Sequence, residues 1–428
     1  MSTICTGDEW GGASTNRHHP QSCIPPRPDV SNATARYNAG PLIAIIAALS
    51  MIGPFAIDTF FPAFPAIGKE FAASPFRLQQ TLSLYLVAYA LMSLWHGGLS
   101  DALGRKPVIL VSLCVFALAS VGCALASSMD MLLAFRVLQG LSAGAGVIVG
   151  RAIVRDCFAG ARAQRVMSGV SMLFGIAPAL APIIGGYLLV FGWRASFWFL
   201  VAWTITLVLA CWRALPETHP LQARVPLRPG PLLVGYGQML RNPRFVLLCL
   251  GGGCNFAAIF MYISAAPAFV IELLGFNERQ FGMFFVPTIS GMVLGSFAAG
   301  RMAGRLSALQ GLRVAYTLTL LAGLANLGYT LANGGMIAWP QAVLPVALTA
   351  FGVALSHPLL TLASMDQYPG RRGAASSLQM FLSLLINASV AGLAAPMLQH
   401  DARLLALGSA VMTACGVACT WLARAALK

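Results

Sequence analysis

The sequence predicts an all-α membrane protein whose twelve transmembrane helices form two six-helix bundles. Three observations carry that prediction. Of 428 residues, 58% are hydrophobic and only 9% charged, with a mean hydropathy of +0.76; so apolar a chain belongs in a bilayer rather than in water. The apolar residues fall into runs near the ~20 that a helix needs to cross the hydrocarbon core. The breaks between runs are short and rich in Gly, Pro and Arg, and helices are the spanning form that satisfies its own backbone groups in lipid.

The elements follow in order. Residues 1–40 carry Arg17, His18, His19 and Arg27 but no apolar stretch, so they are expected to form a flexible cytoplasmic tail rather than a cleaved leader. Adjacent histidines in such a tail are expected to hold no metal. Six spans near 41–66, 79–98, 107–127, 131–152, 166–190 and 194–213 make the first bundle, 41–213. A Pro- and Arg-containing stretch, 214–244, reads as a central cytoplasmic loop. Six more near 245–271, 281–300, 312–332, 337–362, 373–397 and 403–424 make the second bundle, 245–424.

A net charge of +14 would suggest nucleic acid in a soluble protein. Here the basic residues occupy the gaps between apolar runs, so the expected partner is the lipid bilayer and not nucleic acid. With the spans alternating, Lys69, Arg77, Arg194, Arg279 and Arg403 fall on one side and Arg136 inside a span. The rest of the 27 Lys and Arg fall on the other side, which places both termini in the cytoplasm. The ten cysteines lie mostly in apolar runs without CxxC or Cys/His ligand spacing; neither a metal nor a cofactor is expected.

One stretch, PFAIDTFFPAFP from Pro54 to Pro65, puts a carboxylate, Asp58, inside an apolar span. A charge at that depth costs about 2.5–3.5 kcal/mol or more and usually faces a bundle interior with a task to perform. Arg136 reads as the only base at membrane depth. If the first span ends near Ala66, Asp58 and Arg136 both lie roughly 10 Å below the same surface at ~1.5 Å per residue. They are expected to pair, directly or through water and Gln139. Tyr85 and Tyr89 are four apart and share a helix face; with Gln139, Asn255 and Asn387 they are the candidates for cargo contact, packing and interhelical hydrogen bonding being the alternative. His357 has no acid nearby in sequence and reads as packed or interfacial.

Longer motifs carry a family resemblance. Gly97 to Leu110, GGLSDALGRKPVIL, resembles the GxLaDrxGRkxxl loop signature of the major facilitator superfamily, with Ala102 where the pattern often has Arg. Gly104 permits the tight reversal. The resemblance implies a gate built from Gly97, Asp101, Gly104, Arg105 and Lys106, with Arg105 pairing to Asp156. Arg136, Gln139 and Gly140 resemble the superfamily's RxxQG pattern. Gly175 to Gly186, GIAPALAPIIGG, resembles its antiporter motif, with Ala177 and Ala181 replacing glycines and Pro182, Gly185 and Gly186 in register.

Ile57 to Phe71, RAIVRDCF (Arg151 to Phe158), PETHP (Pro216 to Pro220) and GAASSLQ (Gly373 to Gln379) are similar to the Bcr/CflA branch of bicyclomycin and chloramphenicol exporters. That likeness implies a monomer in the bacterial inner membrane that exchanges a small amphipathic substrate for protons, with Asp58 as the proton site. Some relatives carry a second acid about two turns earlier, where this chain has Ser50. The alternative is a proton-coupled metabolite transporter, for a nucleobase, nucleoside, sugar or organic acid, possibly in the import direction. No HExxH, GxSxG or GxxxxGK[ST] occurs, so an enzyme is not expected.

Overall fold

The computed structural model describes residues 39–158, 160–302 and 305–424; the expectations for the tail and its histidines lie outside them. Among the described residues all regular structure is helical, and eleven helices are long and apolar enough to cross a membrane. They are α1 (Gly40–Phe71), α2 (Pro75–Leu103), α3 (Arg105–Ala124), α4 (Met129–Cys157), α6 (Arg194–Ala214), α7 (Pro243–Ser264), α8 (Gly282–Met302), α9 (Ala308–Ala332), α10 (Leu344–Asp366), α11 (Pro369–Leu398) and α12 (Ala402–Leu422). The twelfth, α5, runs Gly160–Leu188.

Several helices are longer than the apolar runs suggest, because they begin at polar caps. The side chains of Ser74, Ser128, Asn242 and Asp401 accept backbone N–H groups at the starts of α2, α4, α7 and α12. Ser307 and Gln310 form a reciprocal capping box at the start of α9. A hydropathy window ignores these polar turns.

The first span is not one rod. A helical segment Ile52–Asp58 stops at Thr59, a 3-10 turn follows at Phe61–Ala63, and helix resumes at Phe64–Phe71. Pro62 and Pro65 sit in the first positions of the latter two segments, where a missing N–H costs least. The prolines thus fix where α1 breaks, and Asp58 is the last residue before the break.

Helix α4 packs on α2 and α3, α3 on α6 and α1 on α5; α7 packs on α12 and α10, and α10 on α8 and α9. The two sets of six meet through α2 with α11 and α5 with α8. At the end holding Glu70 and Glu272, called here the far end, that meeting is a polar seal. Gln79 donates to the Ser264 carbonyl (2.9 Å) and to Gln399 (3.1 Å), Gln80 to the Gly392 carbonyl (3.0 Å) and Ser83 to the Ala388 carbonyl (2.8 Å). Gly392 lies in a π-helical turn, Val390–Ala394, and a second π turn, Ala268–Leu273, follows α7. Such widened turns recur at functional sites.

The opposite, basic end carries the stretch 214–244, which is more than a loop. It includes a helix, Pro229–Leu240, whose Tyr236 and Met239 pack with Phe245, Cys249, Ala375 and Leu378 of α7 and α11. The Tyr236 hydroxyl reaches the other way and donates to the Leu94 carbonyl of α2 (3.0 Å).

Candidate coupling site

Asp58 is 3% exposed, and its Oδ1 has no partner among the described residues. The break in α1 is held from α5: a methyl group on Gly185 would overlap the Thr59 carbonyl. On the next residue, a methyl on Gly186 would overlap the Glu278 carbonyl at the entry to α8. Consecutive glycines of the antiporter-like motif therefore touch the backbone beside Asp58 and the backbone of the second helix set. Pro182 is buried one turn earlier in α5.

Arg136 is fully buried. Its Nε donates to the Thr81 carbonyl (3.0 Å), and Nη1 to the Ala56 carbonyl (2.9 Å) and to Gln139 Oε1 (2.8 Å). The guanidinium lies between the rings of Phe60 and Tyr85, 4.6 and 4.4 Å from their centroids, a cation–π arrangement strengthened by desolvation. The expected Asp58–Arg136 ion pair is not made: the salt bridges among the described residues do not include it. The break in α1 explains this, since it releases the Ala56 carbonyl from the helical ladder two residues before Asp58 and Arg136 takes that oxygen. Arg136 Nη2 has no partner among the described residues, and Tyr85 is within electrostatic reach of both charged groups.

The residues expected to contact cargo divide. Gln139 is fully buried; it accepts from Arg136 and donates to Ser120 (2.8 Å), so it braces Arg136. Asn255 donates to Ser356 (2.5 Å) and lies against Gly416, joining α7, α10 and α12 as interhelical glue. Asn387 is buried, and its Oδ1 has no partner among the described residues. Tyr85 and Tyr89 meet edge to face, 6.2 Å between centroids, and Tyr89 rests on Gly53 and Gly144.

Arg151, expected among the water-facing arginines, lies within α4, about 9 Å from its Cys157 end at ~1.5 Å per residue. Its side chain is solvent-exposed while interacting electrostatically with Tyr89 of α2 and His357 of α10. His357 is likewise exposed.

At the basic end Arg105 joins three acceptors: Asp101, Ser100 (2.6 Å) and Asp156 (3.1 Å). Asp156 also accepts from Thr218 (3.0 Å). The Glu217 carboxylate receives the backbone N–H groups of Arg105 (3.0 Å) and Lys106 (3.2 Å), which caps α3. Lys106 donates to the Trp212 carbonyl (2.8 Å). Gly104 has φ of +103°, and a methyl there would overlap Glu217 and Arg224; Gly97 has open space beside it. Glu217 was missed as a cap, although PETHP supplies an acid just after α6.

Residues 43–391 match the Major Facilitator Superfamily profile. The chain belongs to that superfamily. Among its relatives in the superfamily, a bicyclomycin resistance protein homolog of Haemophilus influenzae is 28% identical over 86% of this chain and 93% of its own length. Multidrug resistance protein D of Escherichia coli is 30% identical over 89% of this chain and 95% of its own length. These relatives place the chain in the Bcr/CflA branch. The human organic anion transporter MFSD10 superposes with a TM-score of 0.68 at 20% identity, over 90% of this chain and 99% of that one, a likeness of fold. The chain is therefore a multi-pass membrane protein of a transporter superfamily.

Proposed function

We propose that the chain is a proton-coupled exporter of small amphipathic compounds, antibiotics among them, in a bacterial inner membrane with both termini cytoplasmic. The observation that carries this is the placement of Asp58 at the α1 break, enclosed, its Oδ1 without a donor among the described residues, and touched through Thr59 by the glycine hinge of α5. The names of the Haemophilus and Escherichia relatives, which are resistance proteins, support the cargo class and the outward direction.

A carboxylate enclosed without a donor is costly, so this far-end-sealed conformation suits a neutral Asp58 that has carried its proton inward. Release of the proton leaves a charge, and the donor that answers it is Arg136, which holds the Ala56 carbonyl two residues before Asp58 and whose Nη2 has no partner among the described residues. Drawing the two together displaces the backbone around Thr59, and Gly185 and Gly186 pass that displacement to α8. The difference in interaction free energy between the two protonation states is what biases the two bundles. The Arg105 network at the basic end is the matching gate there.

The test is Asp58→Asn in inside-out membrane vesicles energised with a proton gradient, with ethidium and chloramphenicol as cargo. The variant inserts normally and loses gradient-driven uptake into the vesicles. Gradient-driven uptake equal to that of the wild type would overturn the proposal.

A further inference from the structure

Resting on the reading that the far end faces outside and opens during transport, we propose that His400 is a second proton site, reached from that side, whose protonation loosens the far-end seal by reversing the hydrogen bonds of Gln399 and Gln79. Four side chains form one continuous chain there. His400 Nδ1 meets Glu272 Oε2 (2.7 Å), His400 Nε2 lies 3.3 Å from Gln399 Nε2, and Gln399 Oε1 accepts from Gln79 (3.1 Å). The same Gln79 nitrogen donates to the Ser264 carbonyl (2.9 Å). One end of the chain is open to solvent, the His400 and Glu272 side chains being 50% and 53% exposed. The other is closed, with Gln399 and Gln79 only 4% and 1% exposed. Of these residues Gln79 alone belongs to the first helix set.

Counting donors and acceptors fixes every direction in the chain. An ionised carboxylate and a backbone carbonyl only accept. Gln79 therefore gives its two N–H groups to Ser264 and Gln399, and His400 Nδ1 carries a proton toward Glu272. In the neutral ring Nε2 is then an acceptor, and it takes an N–H of Gln399. Protonation turns Nε2 into a donor that faces a donor. Gln399 answers by turning its amide, which presents its own NH2 to the NH2 of Gln79. If Gln79 turns as well, its Oε1, which has no partner among the described residues, meets Gln399, but its NH2 leaves the Ser264 carbonyl. In both cases one of the two bonds that Gln79 makes between the helix sets is lost.

The charged pair itself does not decide the balance. Protonation strengthens His400–Glu272, but both residues lie in the second set, so the pair persists when the sets part. The other charged groups around this end have their own partners or contacts. Asp401 and Arg403, beside His400 at the start of α12, answer each other. Arg77, at the start of α2, pairs with Asp130 of α4, and Glu278 and Arg279 lie against Gly186 of α5. Acid outside thus favours the open far end, through which Asp58 loads its proton, and proton supply and access rise together.

The experiment follows the far end with a membrane-impermeant maleimide on the full chain in nanodiscs. The reporter is Ala391→Cys, buried beside the seal, placed in Asp58→Asn so that the coupling proton plays no part. Each rate is divided by that of Ser127→Cys, exposed in the turn between α3 and α4, at the same pH, which removes the thiol's own pH dependence. Labelling of the chain without an added cysteine is subtracted. With His400 in place, the normalised rate at about pH 5.5 is expected to exceed that at about pH 7.5, either side of ordinary imidazole titration, by a few-fold, the weight of one net hydrogen bond. His400→Gln is expected to give one rate at both. Gln399→Leu is expected to label faster at the higher pH and to lose the response, although His400 and Glu272 remain. A response that survives either substitution, or that runs the other way, would overturn the proposal. If Ala391→Cys labels without any response to pH, the far end opens and only the second proton site is wrong. If it stays unlabelled even with Gln79→Ala and Ser83→Ala, the opening itself fails and the proton site with it.

Discussion

Gly185 lies so close to Thr59 that a single methyl group would overlap the Thr59 carbonyl oxygen. Helix α5 therefore has no spare room where it crosses the break in α1. Gly185→Ala is expected to force the helices apart, lowering stability by about 1–3 kcal/mol and abolishing gradient-driven transport. Gly175→Ala, ten residues earlier with nothing within 4 Å, should be neutral or slightly stabilising, since alanine favours helix by roughly 0.5–1 kcal/mol. Thermal unfolding in detergent and vesicle transport, run side by side, check the contrast.

Glu217 caps α3 with both carboxylate oxygens. Glu217→Ala is expected to cost about 1–2 kcal/mol, the usual range for a lost N-cap, and Glu217→Gln to recover part of it, because an amide oxygen still accepts one backbone N–H. Equal melting temperatures for wild type and Glu217→Ala would show that the cap contributes nothing.

The far-end seal depends on three side chains of α2. A Gln79→Ala/Ser83→Ala double variant removes three hydrogen bonds between the helix sets, at a net ~1 kcal/mol each or somewhat less. A loss of about 2 kcal/mol shifts the balance of conformations by roughly 30-fold toward an open far end. The readout is the rate at which a membrane-impermeant maleimide labels Ala391→Cys, a fully buried position beside the seal. Labelling at the wild-type rate would mean that other contacts close this end.

Asp401 lies just before α12, where hydrogen bonds from the Arg403 side chain and backbone hold its carboxyl down at about 2. Its folded value is below the ordinary carboxylate value of about 3.9. The contribution to stability is thus complete above about pH 4 and lost as pH falls toward 2. Asp401→Asn, which retains a capping oxygen, should flatten the fall in thermal stability between those pH values.

Much of this arrangement is legible in the residues. The apolar runs give the helices, and the depth of Asp58 and Arg136 follows from counting along them. Their failure to pair is not legible from spacing, because it depends on a backbone carbonyl freed by a break in α1 that a hydropathy profile reads as continuous span. Arg151 is a related case: it heads a run of arginines that reads as a water-facing loop, whereas the helix continues to Cys157. Gln139 and Asn255 are polar residues in apolar helices, and only three-dimensional contacts show that Gln139 is held between Arg136 and Ser120 and that the Asn255 amide N–H is given to Ser356, its Oδ1 having no partner among the described residues.

The helix Pro229–Leu240 has a consequence for how far the protein can open. Its apolar side adheres to α7 and α11, while the chain just before it is pinned to the first helix set, where the Val225 N–H donates to the Asp101 carbonyl (3.2 Å). Between Val225 and Pro229 lie only Pro226, Leu227 and Arg228, a tether of at most about 14 Å when fully extended. That short strap would act as a mechanical stop, setting the amplitude of the stroke at the basic end independently of what is carried.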